Sequence, residues 1–131
     1  MITNYNTFRI GRILLASLFV ISGIFKIIGF NGTVGYFTSL GLPVPTIAVL
    51  VTILVEVGGG LLLMTGRGVK PVALIIALFT VGATLSAHHF WTLDGAAAQA
   101  QLTHFLKNVS IIGALLLVST IDTEAQPEQR R

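Results

Sequence analysis

Ile47–Thr65, IAVLVTILVEVGGGLLLMT, decides how this chain folds. An α-helix needs about 20 apolar residues to cross a bilayer, and this stretch has that length and composition. One acidic residue, Glu56, stands near its middle, and Gly58, Gly59 and Gly60 follow almost at once. A carboxylate at that depth costs about 2.5–3.5 kcal/mol on insertion scales. A cation, a hydrogen-bond donor or its own protonation must offset that cost. The rest of the chain is therefore read for what can face Glu56.

Composition places that stretch in a membrane protein. Of 131 residues, 53% are hydrophobic and 10% charged, with a mean hydropathy of +0.88. A soluble domain carries about 25% charged residues. The apolar residues fall into four runs of near-membrane length, which indicates an all-α, four-span integral membrane bundle of one domain. A net charge of +3 is too small to suggest nucleic acid as a partner. Cysteine is absent, so the chain supplies no disulfide, catalytic thiol or thiolate ligand.

Span 1 is expected over Phe8–Phe30. Its basic start resembles a signal peptide, but no small-x-small cleavage site follows and Lys26 interrupts the run. Arg12, Ser22 and Lys26 share one helix face at 100° per residue. The loop from Asn31 to Pro45 is expected to hold a short interfacial helix with Tyr36 and Phe37 at headgroup level, ended by Gly41 and Pro43. Thr52, Glu56, Gly59 and Gly60 share a face of span 2, where small residues let another helix approach. The GRGVK turn (Gly66–Lys70) leads into span 3, Pro71 to about Trp91. Gly82, Ser86 and His89 follow one face of it, and Thr84 and His88 a neighbouring one. Asp94 is a candidate cap for the next helix, and span 4 is expected from about Thr103 to Ile121. The segment from Asp122 to Arg131 reads as a polar tail.

Charge sets the expected orientation. Four spans put both termini and the GRGVK turn on one side, with Arg9, Arg12, Arg67, Lys70, Arg130 and Arg131. Lys26 and Lys107 alone lie toward the other. The positive-inside rule then places both termini in the cytoplasm. Lys26, His88, His89, His104, Lys107 and Asn108 gather at the opposite, outer end.

SGIFKIIGFNGTVGYFTSLGLPVP (Ser22–Pro45), EVGGGLLLMTGR (Glu56–Arg67), HHFW (His88–Trp91) and HFLKNVSIIGALLLV (His104–Val118), taken in order with the basic start of span 1, resemble the DoxX-like family of small bacterial membrane proteins. The resemblance covers about Phe8 to Val118. It implies a four-helix bundle in the bacterial inner membrane, in agreement with the reading of the residues. It also implies a role beside redox enzymes: the family's named member is linked to a thiosulfate:quinone oxidoreductase, and relatives look like accessory parts of redox complexes or assembly factors. With no cysteine, such a role here needs a partner protein or a cofactor.

Two constellations carry the candidate chemistry. Lys26, Glu56 and Lys107 read in three ways: a buried charge network that holds helix register, a polar pocket for a quinone or lipid headgroup with Glu56 as a candidate proton relay, or lysines that reach the headgroups without meeting Glu56. His89 and Asn108 join Lys26, Glu56 and Lys107 as ligand-binding candidates. The second constellation is His88, His89 and His104. His88 and His89, adjacent on a helix, would point about 100° apart and share a metal poorly. His89 with His104 is the remaining weak metal candidate, and neither metal nor haem is expected. No phosphate loop, HExxH or nucleophile elbow occurs. The reading is a quinone-associated redox subunit, with a non-catalytic membrane accessory or assembly factor as the alternative. Transport is weaker, since four short spans leave little room without homo-oligomerisation.

Overall fold

The computed structural model describes residues 4–121, and the polar tail expected over 122–131 lies outside the described residues. Four helical segments are long and apolar enough to cross a membrane: Tyr5–Ile28, Pro45–Thr65, Val69–Thr92 and Gly95–Ser119. No strand occurs among the described residues.

Helix α1, Tyr5–Ile28, starts where the Asn4 side chain accepts from the Thr7 amide at 3.0 Å. Gly29 ends it, and α2, Phe30–Ser39, follows as the short helix of the first loop. Tyr36 and Phe37 lie on α2, their rings edge to face at 6.2 Å. Gly41 takes the left-handed conformation after it (φ +73°). Val44 then adopts φ 46°, held between Pro43 and Pro45, and Pro45 opens α3, Pro45–Ile53.

The second span does not remain α-helical. Leu54–Gly59 forms a π-helical turn with Glu56 inside it, and α4, Gly60–Thr65, resumes beyond. Single π-turns inside helices are rare and concentrate at functional sites. Gly66 (φ +81°) closes α4, with the amides of Gly66 and Arg67 bonded to the carbonyls of Leu63 and Leu62. Helix α5, Val69–Ala87, carries Pro71 in its first turn. It stops at Ala87, short of the expected Trp91, and Phe90–Thr92 is a 3₁₀ turn. There Phe90 and Trp91 pack edge to face on Phe105 of the last helix (5.3 and 6.3 Å between centroids), a contact that competes with continuing the helix. Helix α6, Gly95–Ser119, is continuous and takes in the Ala-rich stretch. Asp94 occupies its N-cap position, but its side chain makes no capping bond.

Helix α1 packs along the second span, and α5 along α6. The glycine run serves these contacts at two different faces. A Cβ on Gly60 would stand 2.7 Å from Val20 Cγ2 on α1, and one on Gly59 would stand 3.2 Å from Ile76 on α5. The buried core, Ala16, Phe19, Leu63, Val69, Ala73, Ile76, Ala77 and Leu115, fills mainly the half that carries the chain ends. In the other half Val49 is buried, along with the polar Thr52 and Thr84.

Candidate functional site

In the half away from the chain ends the helices enclose a partly open cavity of about 670 Å³. Much of its wall is apolar: Leu18 and Phe19 of α1, Phe37 and Leu40 of α2, Phe79 of α5 and Ile111 of α6. Ala48, Gly82, Ala83 and Ala87 provide room by their small size. The glycine run of the second span does not line it, because Gly59 and Gly60 are occupied by Ile76 and Val20. Pockets of roughly 300–1,000 Å³, mostly apolar with a few placed polar groups, suit one small ligand.

One polar wall is an ion pair. Lys26 Nζ donates to Glu56 Oε2 at 3.0 Å and to Oε1 at 3.2 Å, and to Ser22 Oγ at 2.8 Å. Glu56 is buried, 7% exposed. Lys26 reaches it from one turn beyond Ser22 on the same face of α1, and Gly23 brings the helices together. A Cβ on Gly23 would stand 3.2 Å from Glu56 Cβ and 2.5 Å from Val57 Cγ2. Charge-assisted bonds of this kind satisfy a carboxylate inside a bundle, where water does not.

A second polar part of the wall is formed by Thr80 and Asn108, joined through Thr84, which does not itself line the cavity. Thr80 donates to the Ile76 carbonyl at 2.7 Å, and Thr84 to the Thr80 carbonyl at 2.6 Å. Asn108 Nδ2 then donates to Thr84 Oγ1 at 3.1 Å, tying α6 to α5. Asn108 has a second amide proton and a carbonyl oxygen beyond that bond, and it lines the cavity. His88, in the extended link after α5, also lines it. His88 Nδ1 lies 2.7 Å from Gln101 Oε1. With Nδ1 as the donor to that oxygen, a neutral ring presents an unprotonated Nε2.

The candidates from the sequence separate in space. Lys26, Glu56 and Asn108 line the cavity, and so does His88. Lys107, one residue before Asn108, is exposed and outside it. The three-member charge network is therefore a pair, Lys26 with Glu56. His89 is likewise outside the cavity wall, its Nδ1 2.9 Å from Thr92 Oγ1. The Thr92 hydroxyl donates to the His89 carbonyl at 2.9 Å. His104 stacks on His88, not on His89, with ring centroids 5.2 Å apart. The early end of α5 explains the exchange: His88 and His89 are not consecutive helix positions. Among the described residues no three His, Cys, Asp or Glu side chains converge as a metal site would need. Ser22 and the Thr80–Thr84 ladder complete the site. Their helical spacing was legible in the sequence, but hydroxyls in spans more often bond their own backbone.

The same chain has relatives among known proteins. It is 37% identical to the inner membrane protein YphA of Escherichia coli (strain K12), over 93% of this chain and 87% of that protein. It is 36% identical to the inner membrane protein YqjF of the same strain, over 84% and 79% of the two chains. It is 32% identical over 61% of each chain to a Bacillus subtilis (strain 168) protein that bears the name "Putative oxidoreductase CatD". No solved structure matches it. The four apolar helices and these relatives make it a multi-pass protein of the inner membrane. The DoxX family model matches residues 8–89, from the start of α1 through Glu56 to His89, and the chain belongs to the DoxX family.

Proposed function

We propose that this protein is a quinone-associated redox subunit that holds the quinone headgroup in the outer cavity. The observation that carries the reading is the cavity itself: about 670 Å³, largely apolar, with an ion pair, Asn108 and His88 in its wall. A quinone ring is flat and apolar with a carbonyl oxygen at each end. The free amide proton of Asn108 suits one such oxygen. With Nδ1 donating to Gln101, His88 Nε2 is an acceptor for the hydroxyl of the quinol. Reduction of a quinone to a quinol takes two electrons and two protons. The electrons come from a partner redox protein or a bound cofactor, since this chain has no cysteine to supply them. Glu56, with Lys26 beside it, is the group that can pass a proton. The oxidoreductase named among the relatives is in keeping with this reading. The basic residues at the termini and the GRGVK turn orient the cavity toward the outer leaflet.

A second reading has its own support. Lys26 already spends its donors on Ser22 and both Glu56 oxygens, as a purely structural pair would. The protein is then an accessory or assembly factor with a rigid polar core. Purification in mild detergent, solvent extraction and quantification of quinone per chain separate the two. We expect quinone well above that of an unrelated membrane protein, reduced in Asn108→Leu and unchanged in Lys107→Ala. Background quinone in the native protein favours the accessory role.

A further inference from the structure

At the end of the bundle that carries the chain ends, Arg12 is buried, only 4% exposed. Its guanidinium lies flat against the α4–α5 turn. A Cβ on Gly66 would stand 2.8 Å from Nη1 and 2.9 Å from Nη2, so only glycine leaves it room. The Phe8 ring lies 5.7 Å from Cζ. Yet Arg12 Nε has no hydrogen-bond partner among the described residues. Leaving a buried charged group unpaired is costly, so such a group signals an anion.

The described residues do not supply that anion. Of the five acidic residues, Glu56 is bonded to Lys26, and Asp94 stands at the N-terminus of α6, at the opposite end of the bundle. The other three, Asp122, Glu124 and Glu128, lie outside the described residues. Beside Arg12 is a second cavity of about 510 Å³, lined by Tyr5, Arg9, Arg12, Met64 and Thr65. Arg9 is exposed one helical turn before Arg12 and lines the same space. Arg67 and Lys70 are exposed on the adjoining turn and add to its positive field. The Thr65 hydroxyl donates to the Leu61 carbonyl at 2.9 Å, so the arginines and Tyr5 are the donors left to an oxyanion.

We infer that Arg9 and Arg12, with Tyr5 beside them, form a binding site for a phosphate group, that of an anionic phospholipid headgroup in the leaflet at the chain termini. Two guanidinium forks match the tetrahedral oxygens of phosphate, and the fork makes paired bonds a lysine cannot. Depth selects the lipid as the source. The guanidinium lies at the level of the Gly66–Gly68 turn, where the chain re-enters the membrane and headgroups lie. Met64 gives the cavity an apolar side for the glycerol and first acyl carbons. The site lies at the other end of the bundle from the quinone cavity and does not depend on it.

The test uses the full chain in maltoside detergent and three probes: dihexanoyl phosphatidylglycerol, dihexanoylglycerol without the phosphate, and glycerol 3-phosphate. Thermal melting reads binding. Phosphatidylglycerol should raise the midpoint saturably, and dihexanoylglycerol should not. Arg9→Gln, at an exposed position that leaves folding intact, should weaken the apparent affinity about fivefold. Arg12→Lys, which keeps the charge and removes the fork, should weaken it further. A variant with Asp122→Asn, Glu124→Gln and Glu128→Gln should bind at least as well as the native chain. Equal binding of glycerol 3-phosphate sustains the phosphate site and moves its source to a soluble ester. Phosphatidylglycerol acting no better than dihexanoylglycerol overturns the proposal, and so does an affinity indifferent to Arg9→Gln. A lower melting point in the tail variant, with Arg12→Lys adding nothing, overturns it in favour of a tail carboxylate.

Discussion

Gly23 and Glu56 bring α1 and the second span together at the π-helical turn: a side chain at Gly23 would begin 3.2 Å from Glu56 Cβ. That approach places Glu56 within reach of Lys26, one turn along α1. The wider π-turn and the missing side chain at Gly23 are parts of one contact.

Gly23→Ala should therefore destabilise the bundle. The new methyl would sit 2.5 Å from Val57 Cγ2 and 3.2 Å from the Val57 backbone nitrogen. Overpacking of this kind costs about 1–3 kcal/mol. Adding Val57→Ala removes the closer clash and should recover most of the melting temperature in detergent. A Gly23→Ala variant as stable as the native protein would mean the helices do not pack here.

The ion pair should behave as a coupled unit. Glu56→Gln strands the lysine and Lys26→Met strands the carboxylate, each change costing up to about 3–5 kcal/mol for a buried pair. The double variant should cost less than the sum by at least about 1 kcal/mol. Melting curves of the four proteins measure the coupling directly. Additive losses would show that the bonds at 3.0 and 3.2 Å contribute nothing to stability.

The basic residues, six on the side of the termini against two toward the other, predict cytoplasmic termini. A reporter fused after Arg131 should be active when it needs the cytoplasm and silent when it needs the periplasm. The opposite pattern would invert the bundle and place the cavity beside Lys26 and Glu56 toward the cytoplasm.

Much of this architecture was legible without a structure, and for a physical reason. Bilayer thickness imposes a length on each apolar run, so Ile47–Thr65 could only be a span. Gly41, Pro43 and Gly66 break helices by their own backbone geometry. Lys26 and Ser22 follow from helical period alone, being one turn apart on one face.

Partner choice was decided by the tertiary structure. Lys26 and Lys107 were equivalent candidates for Glu56 in the sequence. Only the packing of α1 against the second span through Gly23 selects Lys26. His88 displaced His89 because α5 ends at Ala87, where Phe90 and Trp91 turn to meet Phe105, distant in sequence on the next helix. The π-turn at Glu56 carries no local signature, because its hydrogen-bond register differs from the α-helix by one residue and neighbouring helices choose between them. In the sequence Arg12 counted among the basic residues that set topology, and the packing against the Gly66 turn buries it. Hydropathy and backbone preference act over one helix turn and are written in the sequence. The contacts that make a site join residues on different helices, and only packing in three dimensions selects them.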